Sequence, residues 1–465
     1  MKPAHALALV LIPLASVGLA FAATISRWVR DACFGAMVIL AVVTERLDVH
    51  FVSEEWYRGT TRGIEVAFVE ILAFALLAGC LLSRLGRPGE APRWYWPASL
   101  GLLLLYFFEA SISVVFAPLK LFGLFELTKI AGSILVFLAA ASYLRTPREW
   151  NRLVVALAAA AGMEGLWAIK QHILTHLERS QGTLDHPNSL SMYFCLVTPF
   201  LAAMVYAGRS RAVRWTCVAA VGLATIGEVL TVSRAGLPVF FATVLGATLA
   251  CAPIRFTMRR MLAAILLAAA AAAVVFSYWG PIRQRYTRIS LEKEYLDPNI
   301  AGRGVYFRLA RAIVEDHPFG VGLNNWSWYV SRTYGARLGF DYTSYESILA
   351  TYGKNDQVFA NAYLAPPAHD LGALTLGELG YPGLILFTML WLRWAFMGAR
   401  FFGAPRSDPR RGLGIGLFFS LLGIFGQSFT EWVYRQSPIF YTFYILMGAL
   451  AAVTYARARD RRRAA

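Results

Sequence analysis

The stretch APPAHDLGALTLGELGYPGLILF, residues 365–387, passes from a polar, turn-rich segment into a long apolar run. Because the apolar residues continue well beyond this stretch, the run predicts a membrane-spanning helix over 371–396. His369 and Asp370 stand at the threshold of this helix, and Glu378 lies inside it. A histidine in this position is either an interfacial anchor or a chemical group, and the stretch alone is compatible with both.

Composition extends the prediction of membrane helices to the whole chain. Of the 465 residues, 57% are hydrophobic and only 15% are charged. In soluble domains about 25% of the residues are charged. Apolar runs recur along almost the entire length, so we predict an all-α polytopic membrane protein with 12 or 13 transmembrane helices. The predicted spans are 5–23, 31–45, 64–84, 96–118, 121–143, 150–172, 188–207, 214–233, 235–253, 259–279, 371–396, 412–430 and 438–456.

Short basic segments indicate the orientation of these spans. Segments near 208–214, 253–260 and 398–412, together with the basic C-terminus, fall on one side of the membrane if the spans are right. The positive-inside rule assigns that side to the cytoplasm. The same rule explains much of the net charge of +16, so no nucleic-acid partner is predicted.

A long external loop divides the chain into three predicted domains. They are an N-terminal transmembrane bundle over 1–279, a loop domain over 280–370 and C-terminal transmembrane helices over 371–465. Within the loop, apolar residues at helical spacing predict a helix near 303–316. The Tyr- and Gly-rich segment 328–363 is predicted to be irregular and to lie over the membrane surface.

No metal site is predicted. All five cysteines lie in apolar stretches, so none is placed to bind a metal outside the membrane. His172 and His176 have the i, i+4 spacing of a zinc-binding helix, but Ile173 stands where the catalytic glutamate would be. Interfacial, partly solvated histidines are therefore the better interpretation.

Two arginines on the external side indicate an anion site. Arg234 lies in a turn of only a few residues between two apolar spans, on the side where the positive-inside rule disfavours arginine. Arg303 begins the predicted loop helix, whose N-terminus itself attracts anions. Two guanidinium groups suit a diphosphate because each binds phosphoryl oxygens bidentately. The alternative partners are acidic side chains and lipid headgroups.

His369 is then a titratable group beside this anion site. Histidine changes charge near neutral pH and commonly serves as a general base on a hydroxyl. Asp370 is not expected to orient it, because sequence neighbours in a helix do not face each other. Glu378 lies about two and a half helical turns deeper. A carboxylate there is costly to bury, which predicts either a functional role or a basic partner inside the bundle.

Four motifs follow one another along the chain. They are DHPNSLSMY at 185–193, LTVSRAG at 230–236, GRGVYFRLARAIVEDHPFGVGLNNW at 302–326 and HDLGALTLGELGYPGLILF at 369–387. Together with the long external loop and the number of spans, they resemble the O-antigen ligase and polymerase superfamily of bacterial envelope glycosyltransferases.

The resemblance implies a GT-C-like enzyme of the bacterial inner membrane, surrounded by membrane lipids, with its active site on the periplasmic face. The implied reaction is an inverting, metal-independent glycosyl transfer without a cofactor. Its donor is a glycan on undecaprenyl diphosphate, and its acceptor is a sugar hydroxyl of lipid A-core. By match to the family motifs, His369 activates the hydroxyl, and Arg234 and Arg303 hold the diphosphate and stabilise the leaving group. Arg308 and Glu378 are candidate supporting residues.

Asp370 departs from the family pattern, in which an asparagine is expected. His186 and Asn188 match a frequent motif of the family and either contact the substrate or start a helix, with Asn188 as its cap.

Other functions remain open at this point. A polymerase with the same donor, or a protein O-oligosaccharyltransferase, would carry the same histidine and arginines because only the acceptor differs. A transporter of lipid-linked glycans would instead show an internal repeat and polar residues at the midplane. No repeat is visible, and Glu126 and Lys129, at i, i+3 inside a span, are expected to neutralise each other. These observations disfavour a transporter, and the net charge of +16, which is compatible with a phosphorylated acceptor such as lipid A-core, favours a ligase slightly over a polymerase.

Overall fold

The computed structural model describes residues 3–46, 48–85, 96–208, 210–252, 258, 273, 275–288 and 303–464. Helices account for most of them, and two strands form a small hairpin. In chain order the elements are α1 (Pro3–Ile25), α2 (Arg27–Leu40), a 3-10 segment (Ala41–Arg46), β1 (Val49–Ser53), β2 (Gly63–Val66), α3 (Phe68–Leu85), α4 (Leu100–Phe116), α5 (Lys120–Tyr143), α6 (Pro147–Thr175), α7 (Pro187–Ala207), α8 (Arg211–Thr231), α9 (Gly236–Cys251), α10 (Trp279–Arg288), α11 (Gly304–Asp316), α12 (Trp326–Tyr329), a π turn (Val330–Tyr334), α13 (Gly335–Arg337), α14 (Tyr345–Tyr352), α15 (Asp356–Asn361), α16 (Leu371–Ala399), α17 (Arg411–Ser428), a 3-10 turn (Val433–Arg435) and α18 (Ser437–Ala464).

The described helices confirm an all-α polytopic membrane protein. Six of them are long and apolar enough to cross a membrane, namely α5, α6, α7, α8, α16 and α18. Shorter apolar stretches occur in α1, α3, α4 and α9. Each predicted span coincides with a helix except 259–279, most of which lies outside the described residues. The total of 12 or 13 crossings stays a prediction.

Helix α7 lies inside the bundle and is buried almost throughout. It packs against α6, α8, α9 and α17. Small residues on these neighbours allow close approach: Gly227 of α8 packs on the ring of Phe194, and Gly423 of α17 packs on the carbonyl of Cys195. This packing fixes the N-terminus of α7 against the C-terminal end of α17.

Helix α16 is broken in its first half. Gly380 adopts φ 62° and ψ −161°, a conformation that only glycine adopts readily. The amide of Val321 donates to the freed carbonyl of Gly377 at 3.0 Å. The amide of Gly322 donates to the carbonyl of Glu378 at 2.8 Å. The loop after α11 therefore replaces the lost helical hydrogen bonds and holds the first half of α16 in place.

The β1–β2 hairpin was not predicted. The strands pair antiparallel, and β2 occupies the first residues of the span predicted from position 64, so that span begins too early. The link between the strands is anchored on Asn324. The hydroxyl of Tyr57 donates to its carbonyl at 2.5 Å, and the amide of Thr60 donates to its Oδ1 at 2.8 Å. Because these contacts come from a residue far away in the chain, the local sequence does not predict the hairpin.

The external loop is more helical than predicted. Helix α11 confirms the helix near 303–316 and buries Val305, Leu309 and Ile313. The prediction of an irregular segment over 328–363 is wrong, because α13, α14 and α15 lie in it. Its aromatic residues pack on one another and on the hairpin link. The division of the chain at 279 and 370 stays a prediction.

The two ends of the bundle differ in chemistry. At one end the basic segment near 398–412 meets the C-terminal helix and the end of α9: Arg410 pairs with Asp460 at 2.6 Å, and Arg411 donates to the carbonyl of Ala250 at 3.0 Å. Most of the predicted basic segment 253–260 lies outside the described residues. Since α17 begins at Arg411, the link that follows its C-terminus lies at the opposite end. That link carries Glu431.

Candidate active site

A buried glutamate that sequence reasoning did not select, Glu431, gathers three of the predicted residues. Nδ1 of His369 lies 2.9 Å from Oε2 of Glu431. Nη2 of Arg303 donates to Oε1 at 2.6 Å. The side-chain amide of Asn188 donates to the same Oε1. These four residues are called the Glu431 cluster.

The cluster is assembled from four separate links and helix ends. Asn188 lies in the first turn of α7, Arg303 directly precedes α11, His369 lies just before α16, and Glu431 follows α17. Helix packing fixes each of these ends, so the cluster depends on the tertiary fold and not on proximity in sequence.

The surroundings keep Glu431 ionised although its side chain is only 3% exposed. Burial by itself would raise the pKa of this carboxyl. The hydrogen bond from His369, the charge that this ring carries when it is protonated, and the charge of Arg303 outweigh burial and lower the pKa below its ordinary value. A carboxylate only accepts hydrogen bonds, so Nδ1 of His369 is the donor, and Nε2 of the neutral ring carries the lone pair.

A cavity of about 470 Å³ opens beside the cluster. The cluster contributes His369 and Glu431 to its lining, and the β1–β2 link contributes Trp56, Arg58 and Arg62. The His369 side chain is 36% exposed. Its ring therefore reaches the cavity while Nδ1 is held by Glu431.

His186 and Asn188 lie at the start of α7, where His186 is the capping residue; contact of either with a substrate stays a prediction. Nδ1 of His186 accepts from the amide of Asn188 at 3.0 Å, so His186 caps α7 and the prediction of an Asn188 cap is wrong. Pro187 takes the first helical position, which places Asn188 inside the first turn with its side chain directed to Glu431. His186 also lines the cavity.

Arg179 connects the cluster to the turn that carries Arg234. Its Nη2 donates to Oδ1 of Asn188 at 2.9 Å, and its Nε donates to the carbonyl of Thr231 at 2.9 Å. Arg234 follows in the turn between α8 and α9, where its carbonyl accepts from the hydroxyl of Tyr286 at 2.6 Å. The turn is thus linked to the cluster, but Arg234 is not one of the residues that hydrogen-bond Glu431.

Helix α11 places further residues beside the cluster. The ring of Tyr306 lies 5.8 Å from the ring of His369. Arg308 is half-buried on the same helix and is also not a hydrogen-bond partner of Glu431. Of the predicted arginines, the structure brings Arg303 alone into direct contact with this carboxylate.

Glu378 pairs with a basic residue inside the bundle, as predicted, and this residue is Arg435. The guanidinium of Arg435 donates to its carboxylate, and the two side chains are 4% and 1% exposed. The carbonyl of Arg435 accepts from Nζ of Lys129 at 2.7 Å. Lys129 pairs with Glu126 at 3.0 Å, which confirms that these two charges neutralise each other.

Asp370 is the N-cap of α16. Its side chain accepts from the amide of Ala373 at 2.7 Å, a role that asparagine fills equally well. Burial raises the pKa of Asp370 to about 6, although its hydrogen bonds from the Ala373 and Gly372 amides act in the opposite direction. The departure from the family pattern therefore leaves the local hydrogen bonding intact.

In the part of the chain that the structure describes, no group of three or more His, Cys, Asp or Glu side chains is arranged to hold a metal ion. Nε2 of His172 contacts the hydroxyl of Tyr278, and its Nδ1 lies 3.2 Å from the carbonyl of Leu177. These contacts agree with a structural histidine at the edge of the bundle.

Glu431, Arg435 and Arg179 are the residues that sequence reasoning missed. Glu431 and Arg435 stand in the short link EWVYRQ, residues 431–436, between two predicted spans on the external side. The argument that selected Arg234, a charge in a short external link, applies equally to this link. The signal was present for these two residues, whereas Arg179 lies in a longer polar segment without such a signal.

One protein-family model matches part of the chain. Residues 219–388 match a family described as O-antigen ligase. No curated protein matches the chain. The matched segment contains Arg234, Arg303, Arg308, His369 and Glu378, whereas His186, Asn188 and Glu431 lie outside it.

Proposed function

We propose that this chain is an O-antigen ligase, an interpretation supported by the match of residues 219–388 to the O-antigen ligase family. The proposed donor is a glycan on undecaprenyl diphosphate, and the proposed acceptor is a sugar hydroxyl of lipid A-core. The reaction would occur at the periplasmic face of the bacterial inner membrane. The main support is the Glu431 cluster, in which one buried carboxylate holds both His369 and Arg303.

In the proposed reaction His369 is the general base. Its Nδ1 donates to Glu431, so Nε2 accepts the proton of an acceptor hydroxyl in the cavity. The ring then becomes positively charged, and the Glu431 carboxylate 2.9 Å away stabilises this charge. Glu431 thus has the orienting role that an acidic residue has beside a catalytic histidine in many hydrolases.

Arg303 is the proposed contact for the donor diphosphate. A guanidinium group has five N–H donors, and the hydrogen bond to Glu431 uses Nη2. Bound at the N-terminal end of α11, a phosphoryl group would also meet the positive end of the helix dipole. Arg234 is the second proposed contact, and Arg308 a supporting one.

The bond changes follow from these assignments. The acceptor oxygen attacks the anomeric carbon of the donor sugar from the face opposite the diphosphate, which inverts that centre. The bond between this carbon and the phosphate oxygen breaks, and undecaprenyl diphosphate leaves with the electron pair. The hydroxyl proton moves to Nε2 of His369. The arginines stabilise the charge that develops on the leaving group.

The proposed mechanism is independent of metal ions because arginine supplies the positive charge. Incubation with EDTA should therefore leave the initial rate unchanged. Strong inhibition that is reversed by added Mg²⁺ or Zn²⁺ would contradict this part of the proposal.

One reconstitution experiment tests the function. Purified protein is incubated with lipid-linked glycan, either alone or with lipid A-core, and the products are separated by size. Glycan attached to lipid A-core supports the ligase, whereas longer glycans on the lipid carrier would indicate a polymerase of the same superfamily. The His369→Ala variant should be inactive at normal expression, and retained activity would remove His369 from the mechanism.

A further inference from the structure

The β1–β2 link forms part of the cavity in which Nε2 of His369 is available. Trp56, Arg58 and Arg62 of this link line the same cavity as His369 and Glu431. The link lies outside residues 219–388, so the family match assigns it no role. A ligand that binds against the link in this cavity would lie close to His369, the proposed general base.

This link is a fixed surface. A Cβ added at Gly59 would lie 2.3 Å from Oδ1 of Asn324, so the backbone is packed tightly there. The hydroxyl of Thr60 donates to Oε2 of Glu126 at 2.8 Å, which ties the link to α5. Together with the hydrogen bonds from Tyr57 and Thr60 to Asn324, these contacts hold the residues between β1 and β2 before any ligand arrives.

Arg58 is held through both its backbone and its side chain. Its backbone amide donates to the hydroxyl of Tyr345 at 3.2 Å, and its guanidinium donates to the carbonyl of Ala360 at 3.3 Å. Arg62 faces Glu55 at 3.8 Å, with both side chains about half exposed. An ion pair of this kind is weak because water screens it, so either partner can turn to a ligand at small cost.

The chemistry of this surface fits a sugar. Arg58 and Arg62 offer donors, Glu55 and Asp356 offer acceptors, and all four line the cavity. Their formal charges cancel, so the surface is not built for a strongly anionic ligand. Sugar hydroxyls both donate and accept hydrogen bonds. The half-buried ring of Trp432 gives the same cavity an apolar surface for the C–H face of a sugar.

We propose that the β1–β2 link is the acceptor subsite, which binds a hydroxyl-rich sugar and presents one hydroxyl to Nε2 of His369. This inference rests on the proposed function. The donor diphosphate is assigned to Arg303, which approaches Glu431 through Oε1, whereas His369 approaches through Oε2. The two substrates would thus meet at His369 from the sides of α11 and of the hairpin.

Separate kinetics for the two substrates test the inference. Arg58→Ala and Arg62→Ala should each raise the KM for lipid A-core by roughly tenfold, the loss of one hydrogen bond from a charged group. The KM for lipid-linked glycan and kcat should stay near the wild-type values. Arg332→Ala is the matched control, because Arg332 is an exposed arginine of the external loop, away from the cavity lining, and its partner is Glu346 at 3.3 Å.

Two other results would contradict the assignment of the link as the acceptor subsite. A raised KM for the donor would show that the link holds donor sugars, and unchanged constants in both variants would show that it binds neither. Arg58→Met, which keeps much of the packing but removes the N–H donors, guards against a folding defect: it should show the same selective increase in KM with a wild-type Tm.

A binding measurement separates this inference from the proposed function. Titration of purified protein with lipid A-core in the absence of donor should give a Kd that Arg58→Ala weakens by roughly tenfold. Wild-type protein that neither transfers glycan nor binds lipid A-core would overturn the proposed function and the subsite with it. Wild-type protein that does both, with variants that bind equally well, would overturn the subsite alone.

Discussion

The buried ion pair between Glu378 and Arg435 joins the same two segments that bring His369 to Glu431. Glu378 lies in the first half of α16, which His369 precedes, and Arg435 lies in the link that carries Glu431. A buried pair needs close geometry to offset the cost of removing both charges from water. Glu378 and Arg435 therefore hold the link and the half-helix in one register, and we expect them to influence the reaction through the position of Glu431.

Replacement of this pair by apolar side chains should affect the stability of the protein and its kcat differently. Glu378→Met or Arg435→Met alone leaves an unpaired buried charge, at a cost of about 3–5 kcal/mol, and should lower the Tm. The double variant should recover the Tm, because apolar side chains of similar size often replace a buried pair without loss. Its kcat should stay about 10- to 100-fold reduced, since a small misplacement of a catalytic group has effects of this size. Recovery of kcat together with the Tm would mean that the pair serves folding alone.

Glu431→Gln should reduce kcat by about 10²- to 10⁴-fold, the usual contribution of a positioned general base. Glutamine keeps the shape of the side chain but removes the charge that stabilises protonated His369. Its amide can also donate to Nδ1, which favours the tautomer whose Nε2 carries a proton. The control is Glu346→Gln, an exposed glutamate paired with Arg332, which should retain activity. Equal activity in both variants would contradict the role given to Glu431.

Much of the architecture could be predicted from the sequence because the membrane imposes simple rules. Apolar length located the helices, and the charges of the short links placed the basic segments at one end, where Arg410 meets Asp460. The loop helix α11 followed from apolar residues at helical spacing. The hairpin did not, because its link is held by Asn324, which is more than 250 residues away in the chain.

Three members of the Glu431 cluster are among the residues predicted from the sequence. His369, Arg303 and Asn188 come together, but the residue that joins them was missed. A histidine and an arginine can be selected from the sequence because one titrates near neutral pH and the other binds anions. A glutamate such as Glu431 can be assigned a role only when the fold shows which side chains surround it. The same holds for Glu378, whose partner Arg435 is 57 residues away in the chain.

Arg303→Lys should lower kcat/KM for the lipid-linked donor by about 10²-fold, in the range measured for loss of one charge-stabilising donor. Lysine can still pair with Glu431, but its single ammonium group cannot bind that carboxylate and a phosphoryl group with forked geometry. Arg337→Lys is the matched control, because Arg337 is a half-exposed arginine of the same loop that pairs with Asp316. A donor titration of both variants checks the prediction, and a wild-type value for Arg303→Lys would exclude bidentate binding at this position.

Asp370→Asn should change the pH dependence of stability. Burial raises the pKa of Asp370 to about 6 in the folded protein, whereas an unfolded aspartate titrates near 3.9. The folded state therefore binds this proton more tightly. The resulting stabilisation is complete below about pH 4 and is lost as the pH rises through about 6. Asparagine keeps the cap on α16 without a titrating group.

At pH 7.5 the variant should thus be more stable than wild type by roughly 3 kcal/mol, and it should unfold at a higher temperature. This advantage should disappear near pH 4. Thermal unfolding in detergent at several pH values measures both effects, with Asp316→Asn as the control because the exposed Asp316 carboxyl is paired with Arg337 and its pKa is lowered. If the Tm difference between Asp370→Asn and wild type is the same at pH 4.5 and 7.5, Asp370 does not titrate in this range, and the cap is equally strong in both forms.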